Sequence, residues 1–139
     1  MKRMLIAAHG RLAEGLKSAV SLIMGEKEGI DCINAFVTDT PLEEQVNAYA
    51  ASIGEEDQVL VVTDAFFGSV NQKLMEKSIK NSITVTGVNL PLLLELAGFL
   101  EGDTPFSKEQ IKNAITQAQK QLMLAEPEEI VVSGDDFEL

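Results

Sequence analysis

Histidine and cysteine each occur once in the 139 residues, as His9 and Cys32, and tryptophan is absent. A single cysteine excludes an internal disulfide and agrees with a reducing compartment such as the cytoplasm. One histidine and one cysteine, far apart in the sequence, do not give the spacing of a structural zinc site. We therefore expect a protein that uses neither a metal nor a cofactor.

Positive charge is also scarce, because 11 Lys and Arg residues stand against 22 Asp and Glu residues, for a formal net charge of −11. A surface this acidic repels the phosphates of nucleic acids and the headgroups of anionic membranes. No apolar run is long enough to span a bilayer, and the amino terminus lacks the pattern of a signal peptide. The sequence therefore predicts a cytoplasmic protein that binds no nucleic acid and does not insert into a membrane.

Apolar strand patterns alternate with amphipathic helix patterns along the chain. The strand patterns cover 5–8, 30–37, 58–63 and 83–88, and each is followed by a helix pattern. Parallel neighbours need crossover helices, so this order predicts an α/β fold with a doubly wound, mainly parallel sheet in the strand order 2-1-3-4. We expect one domain over residues 1–139, with a βα core over 1–100 and a helix, a short strand and an acidic tail over 101–139.

Several polar residues precede the predicted helices and are typical of N-caps. Thr40 can cap a helix in which Pro41 takes the first position and Glu43 completes a capping box. Asn89 and Ser107 stand in similar positions before later helices, the second of which has an inner face predicted to reach Leu122. The leucines of 92–100 make the intervening helix apolar around much of its girth, which predicts burial in a subunit interface.

The candidate site follows from the predicted strand order. Strands 1 and 3 are neighbours in that order, and their carboxyl ends carry His9 and Asp64. A carboxylate that accepts from one ring nitrogen fixes the tautomer and leaves the other nitrogen as a nucleophile, so His9 could carry a phosphoryl group. Helix amino termini near Gly10 and Gly68 would direct amides and positive dipole ends at the same place. Ser69 could contribute a hydroxyl, an N-cap, or both.

Other chemistries lack their signatures in this chain. The glycine patterns of dinucleotide-binding and P-loop nucleotide-binding proteins are absent, as is the Gly-x-Ser-x-Gly turn of serine hydrolases. The end of the first strand also lacks the two acidic residues of a response-regulator receiver. These other chemistries therefore fit the chain poorly.

Three separated motifs cover roughly residues 1–100. They read as follows: Ile6-Ala7-Ala8-His9-Gly10; Val61-Val62-Thr63-Asp64 with Gly68-Ser69 and Asn71; and Gly87-Val88-Asn89-Leu90-Pro91. Together they resemble the enzyme IIA component of the mannose class of the phosphoenolpyruvate-dependent sugar phosphotransferase system. The resemblance implies a phosphotransferase that accepts a phosphoryl group from phospho-HPr on His9, with Asp64 as the hydrogen-bonding carboxylate. It further implies transfer to an enzyme IIB partner, with membrane enzymes IIC and IID downstream. A homodimer that exchanges a carboxyl-terminal strand, at Glu129 to Val132, is also implied.

The loop after Asp64 departs from the family pattern. The family usually has Thr-Trp-Gly-Gly-Ser there, whereas this chain has Ala65-Phe66-Phe67-Gly68-Ser69. A phenylalanine in place of a glycine changes the path of the loop and the number of amides that can face a phosphate. The aromatic pair could line a docking surface or cover the core, and the expected exposure of the loop favours docking.

Two alternative functions remain open at this point. One is the phosphoryl-transfer subunit of a dihydroxyacetone kinase, which the segment Gly87 to Pro91 disfavours because it looks more like the sugar-transport family. The other is a regulatory module whose phosphorylation changes its binding to another protein. The sequence does not identify the sugar, because the sugar does not contact this component of the system.

Overall fold

The computed structural model describes residues 1–127. Its four parallel strands are β1 (Lys2–His9), β2 (Ile30–Ala35), β3 (Gln58–Thr63) and β4 (Ser82–Thr86). The helices are α1 (Leu12–Met24), α2 (Leu42–Ala51), α3 (Ser69–Lys77), α4 (Leu90–Gly98) and α5 (Lys108–Gln119). The sheet order is β2-β1-β3-β4 with parallel pairing throughout, which confirms the predicted doubly wound α/β fold. The strand predicted at Glu129 to Val132 and the acidic tail lie outside the described residues.

Strand β1 lies in the middle of the fold and is buried on both faces from Met4 to Ala8. Side chains of a strand alternate between the two faces of the sheet. Met4, Ile6 and Ala8 accordingly pack into one apolar cluster with residues of α1, α4 and α5. Leu5 and Ala7 pack into a second cluster with residues of α2 and α3. Two apolar layers thus hold β1, with His9 at its carboxyl end.

Helix α4 corrects one expectation from the sequence. Its residues Leu92, Leu93 and Leu96 are buried within the chain, in the same cluster as residues of α1 and α5. The helix packs against both of these neighbours as well as lying near the sheet. The chain itself covers these three leucines, so they give no evidence of a subunit interface.

Two of the three predicted caps are present. The Asn89 Oδ1 accepts from the Leu92 N–H at 2.9 Å, and the Ser107 Oγ accepts from the Gln110 N–H at 3.3 Å. The prediction that Thr40 caps α2 is wrong, since the N-cap of α2 is Pro41 and no side-chain capping bond is present. With ψ of 144°, Pro41 is still extended and therefore flanks the helix instead of opening it.

Three elements end earlier than the sequence analysis places them. Strand β2 stops at Ala35, before the predicted end at residue 37, because Phe36 turns to a φ of +66°. Strand β4 stops at Thr86, because Gly87 takes a φ of +79°. Helix α5 ends at Gln119, so Leu122, expected on its inner face, is instead 87% exposed.

Candidate functional site

His9 is the last residue of β1, and Asp64 directly follows β3. The two strands pair in parallel up to Ala7 and Thr63, so both side chains emerge at the same edge of the sheet. The His9 Nδ1 lies 2.6 Å from the Asp64 Oδ2, and the His9 backbone N–H donates to the same oxygen at 3.0 Å. The structure thus brings together the two residues that strand order placed at one crevice.

The surroundings of Asp64 keep its carboxyl group ionised. Burial is the largest influence and on its own would raise its pKa. The hydrogen bonds from the His9 backbone and ring, together with the positive charge that the ring can carry, outweigh burial and lower the pKa of Asp64. Its Oδ1 also accepts from the Ala65 N–H at 3.0 Å. A carboxylate can only accept, so we assign the hydrogen to His9 Nδ1 and the free lone pair to Nε2.

Ser69 lies on the opposite side of the imidazole from Asp64. It is the first residue of α3, and its Oγ is 3.2 Å from the His9 Nε2. The N-cap of α3 is Gly68 and no side-chain capping bond is present, so the hydroxyl of Ser69 is not used as a cap. Because Nε2 carries the lone pair, the Ser69 hydroxyl donates to it. Each ring nitrogen therefore has a polar neighbour, and the amino end of α3 lies at Nε2.

Gly68 leaves room for the loop beside the His9 ring, and Gly10 forms the turn that follows β1. A Cβ on Gly68 would lie 3.3 Å from the His9 Cε1, tighter than most such contacts, so glycine allows the loop to approach the ring. Gly10 has a φ of +60°, which favours glycine. Their N–H groups donate to backbone carbonyls, from Gly68 to Ala65 at 3.0 Å and from Gly10 to Ala35 at 2.9 Å. Both amides are thus engaged, and the first amides of α3 are better placed to meet a phosphate.

A buried polar network holds the loop that follows Asp64. The Thr63 Oγ1 lies 2.8 Å from the Asn71 Oδ1 and 2.7 Å from the Thr86 Oγ1. The Asn71 Nδ2 donates to the Phe66 carbonyl at 3.1 Å. Thr63 and Asn71 are both buried. This network was not identified as a unit from the sequence, because its members come from β3, α3 and β4.

Three exposed aromatic residues lie on the turns that follow β2 and β3. Phe66 and Phe67 are 60% and 86% exposed, and their rings meet edge to face with centroids 5.0 Å apart. They border an open cleft of about 480 Å³ that also reaches Met75. The alternative in which this pair covers the core is therefore wrong. Phe36, which sequence reasoning missed, has its ring centroid 5.5 Å from that of His9.

Comparison with known families identifies the chain. The family described as the PTS system fructose IIA component, of the mannose-type enzyme IIA group, matches residues 3–115. This range contains His9, Asp64 and Ser69. The chain belongs to this family. Membership confirms the resemblance that the three sequence motifs suggested, and it makes the protein a IIA component of a sugar phosphotransferase system.

Solved structures of other IIA proteins share the fold. A candidate permease of a phosphoenolpyruvate-dependent sugar phosphotransferase system from Klebsiella pneumoniae is 32% identical, with a TM-score of 0.78 over 88% of this chain and 90% of that one. A IIA protein associated with the fucose utilization operon of Streptococcus pneumoniae is 24% identical, with a TM-score of 0.72 over 88% and 92%. The mannose/sorbose-specific IIA subunit of Enterococcus faecalis is 21% identical, with a TM-score of 0.74 over 94% and 100%. The last two likenesses show the fold alone.

Two further observations concern metal ligands and membrane-spanning helices. Within residues 1–127, no three His, Cys, Asp or Glu side chains lie close enough together to hold a metal ion. In the same part of the chain, no helix is both long and apolar enough to cross a bilayer.

Proposed function

We propose that this IIA component carries a phosphoryl group on the Nε2 of His9, accepted from the phosphohistidine of HPr and passed on to an enzyme IIB. The observation that carries the proposal is the 2.6 Å contact between the His9 Nδ1 and the Asp64 Oδ2. It fixes the ring tautomer and leaves Nε2 nucleophilic beside the Ser69 hydroxyl. Family membership supports a phosphocarrier role.

The transfer balances without any other reactant. The Nε2 lone pair attacks the phosphorus of phospho-HPr, the donor N–P bond breaks, and the donor imidazole keeps that electron pair. Positive charge then develops on the His9 ring, whose Nδ1 keeps its hydrogen, and the Asp64 carboxylate stabilises this charge. Attack by a nucleophile of enzyme IIB on the same phosphorus breaks the Nε2–P bond and restores His9. Asp64 accepts a hydrogen bond throughout and is never a phosphoryl carrier.

The phosphoryl oxygens need donors at the Nε2 side of the ring. Ser69 can redirect its hydroxyl from Nε2 to an oxygen of a phosphoryl group bound to that nitrogen, because its Oγ lies 3.2 Å from Nε2. The first amides of α3 and the positive end of its dipole lie at the same side. Gly68 contributes by allowing close approach, and Gly10 by the left-handed turn after β1. These groups supply what a metal would otherwise supply, so we expect the step to need none.

The wider setting follows from the same proposal. The enzyme IIB partner would pass the phosphoryl group to a sugar that membrane enzymes IIC and IID transport. All 139 residues would act as one domain in the cytoplasm. The match to a sugar phosphotransferase family favours this role over a dihydroxyacetone kinase subunit. A regulatory module would share the chemistry at His9 and differ only in what receives the phosphoryl group.

We also propose a homodimer, although α4 no longer supports it. Strand β4 lies at an edge of the sheet formed by the described residues. A groove of about 450 Å³ runs beside this strand, between Ile83 and residues of α3. The exposed residues Leu122, Met123 and Leu124 lead from α5 toward the predicted strand at 129–132. Pairing of that strand with a sheet edge of a partner subunit would satisfy backbone groups that an edge strand leaves open.

Incubation with phosphoenolpyruvate, enzyme I and HPr, followed by candidate enzyme IIB proteins, tests the proposal. We expect label from phosphoenolpyruvate to appear on the protein and then on one enzyme IIB. The matched control is His9→Ala, which should accept no label because the chain has no other histidine. Label that reaches the protein but no enzyme IIB would favour the regulatory alternative, and label on His9→Ala would refute the carrier assignment.

A further inference from the structure

Phe36 lies against the imidazole of His9 in a conformation that phenylalanine rarely adopts. It directly follows β2 and has a φ of +66°, in the left-handed region. Its side chain is 61% exposed. Its ring centroid is 5.5 Å from that of His9, and the two rings are tilted by 48°.

Folding stability does not explain this arrangement. A bulky residue with positive φ is an outlier, and such backbone strain carries an energetic cost. An exposed phenylalanine also forfeits most of the stabilisation that burial of its ring would provide. Phe36 belongs to neither of the apolar clusters that pack against the two faces of the sheet. Glycine or asparagine would fit the backbone at this position with less strain.

The backbone shows how this position is imposed. His9 and Ala35 are the last register partners of β1 and β2, and both following residues, Gly10 and Phe36, are left-handed. The Gly10 N–H donates to the Ala35 carbonyl at 2.9 Å and ties the two turns together. The paired turns thus fix the backbone from which the phenyl ring of Phe36 reaches the imidazole.

We propose that Phe36 is a positioning residue for His9. Hydrogen bonds hold the imidazole at its two nitrogens, at Asp64 and at Ser69, but the His9 side chain remains 47% exposed. Contact with the phenyl ring restricts rotation and tilt of the imidazole, and so keeps Nε2 aimed at the incoming phosphorus. The inference rests on the proposed phosphoryl transfer and deepens it. The strain at Phe36 is the cost of an orientation that the transfer needs.

Phe36→Gly removes the ring and relieves the strain, so stability and activity should respond in opposite directions. We expect an unfolding temperature equal to or above that of the wild type. The kcat for transfer from phospho-HPr should fall about tenfold, while KM stays within about twofold. Phe36→Tyr keeps the ring contact and should therefore keep the kcat of the wild type. The matched control is Asn81→Gly, which relieves a φ of +51° before β4 and should leave kcat unchanged.

Three results would overturn the proposal. A rise in KM at unchanged kcat would make Phe36 a docking contact. Parallel loss of unfolding temperature and kcat would make it a structural residue. The third is an unaltered His9 ring spectrum by NMR in unphosphorylated Phe36→Gly, whereas shifted and broadened ring resonances support positioning. If the wild type accepts no phosphoryl group, the proposed function fails, and the NMR comparison still decides whether Phe36 orients the ring.

Discussion

The Oδ2 of Asp64 accepts two hydrogen bonds from one residue, from the His9 backbone N–H at 3.0 Å and from the His9 Nδ1 at 2.6 Å. The backbone bond fixes the end of β1 relative to the carboxylate, and the ring bond fixes the imidazole relative to the same atom. The tautomer of His9 thus depends on this single oxygen, which also links the ring to the end of β1. This dependence makes Asp64 the most informative position to vary after His9 itself.

Asp64→Asn should keep the fold and slow phosphoryl transfer from phospho-HPr by roughly 10-fold to 100-fold. The neutral amide can donate to Nδ1, which would place the hydrogen on Nε2 and remove the nucleophilic lone pair. It would also fail to stabilise the positive charge on the ring. Single-turnover transfer rates measure the effect, and nitrogen chemical shifts of His9 report the tautomer. A wild-type rate with an unchanged tautomer would remove Asp64 from the site.

The difference in stability between the wild type and Asp64→Asn should depend on pH. Burial opposes ionisation of Asp64, but the donors of His9 prevail and lower the pKa of its carboxyl group in the folded protein. A lowered carboxyl pKa contributes stability that is present above the unfolded value and is lost as pH falls through the folded value. Urea unfolding should therefore show the wild type losing its advantage over Asp64→Asn below about pH 4. An advantage that grows as the pH falls below about 4 would contradict the assigned hydrogen bonding.

Thr63→Val should destabilise the protein by about 1–3 kcal/mol, because it leaves buried polar partners unsatisfied. Those partners are the side chains of Asn71 and Thr86. Transfer should slow as well, since Asn71 holds the Phe66 carbonyl of the active-site loop. Denaturant unfolding measures the change. The matched control Thr104→Val, at an exposed position, should stay within about 0.5 kcal/mol, and equal effects of the two variants would contradict the role of the network.

The strand order and the meeting of His9 with Asp64 could be predicted because both follow from local patterns. A strand buried on both faces reads as a continuous apolar run, and parallel connections restrict the order of strands. Which element packs on α4 could not be predicted. A helix that is apolar on most of its faces has the same sequence pattern whether α5 or another subunit packs against it. The contact of Phe36 with His9 depends on a left-handed turn, which an aromatic residue does not signal.

Phe67→Ser should weaken recognition of a protein partner without affecting the fold. Phe67 is highly exposed at the loop beside His9, and aromatic residues in such positions are frequent anchors of interfaces. We expect KM for phospho-HPr or for the enzyme IIB to rise about tenfold while the unfolding temperature stays constant. Leu22→Ser, at an equally exposed position on α1, should change neither KM. Equal KM values for Phe67→Ser and wild type with both partners would exclude docking through this ring.

A chain that ends at Glu126 tests the proposed assembly. Without residues 127–139 it lacks the predicted strand at 129–132, so we expect it to dissociate or to unfold at lower denaturant than the full chain. Sedimentation at micromolar concentration should show a dimer for the full chain. A monomeric full chain, or a shortened chain as dimeric and as stable as the whole, would contradict strand exchange.

The central claim is that His9 carries the phosphoryl group on Nε2, and phosphorus NMR of the protein phosphorylated through HPr tests it most directly. Phospho-HPr is first separated from enzyme I, and it then reacts with this protein in chelator. The account predicts one acid-labile phosphohistidine signal with the shift of an Nε2 adduct, absent from His9→Ala. A signal from an Nδ1 adduct, or a phosphorylated His9→Ala, would contradict it.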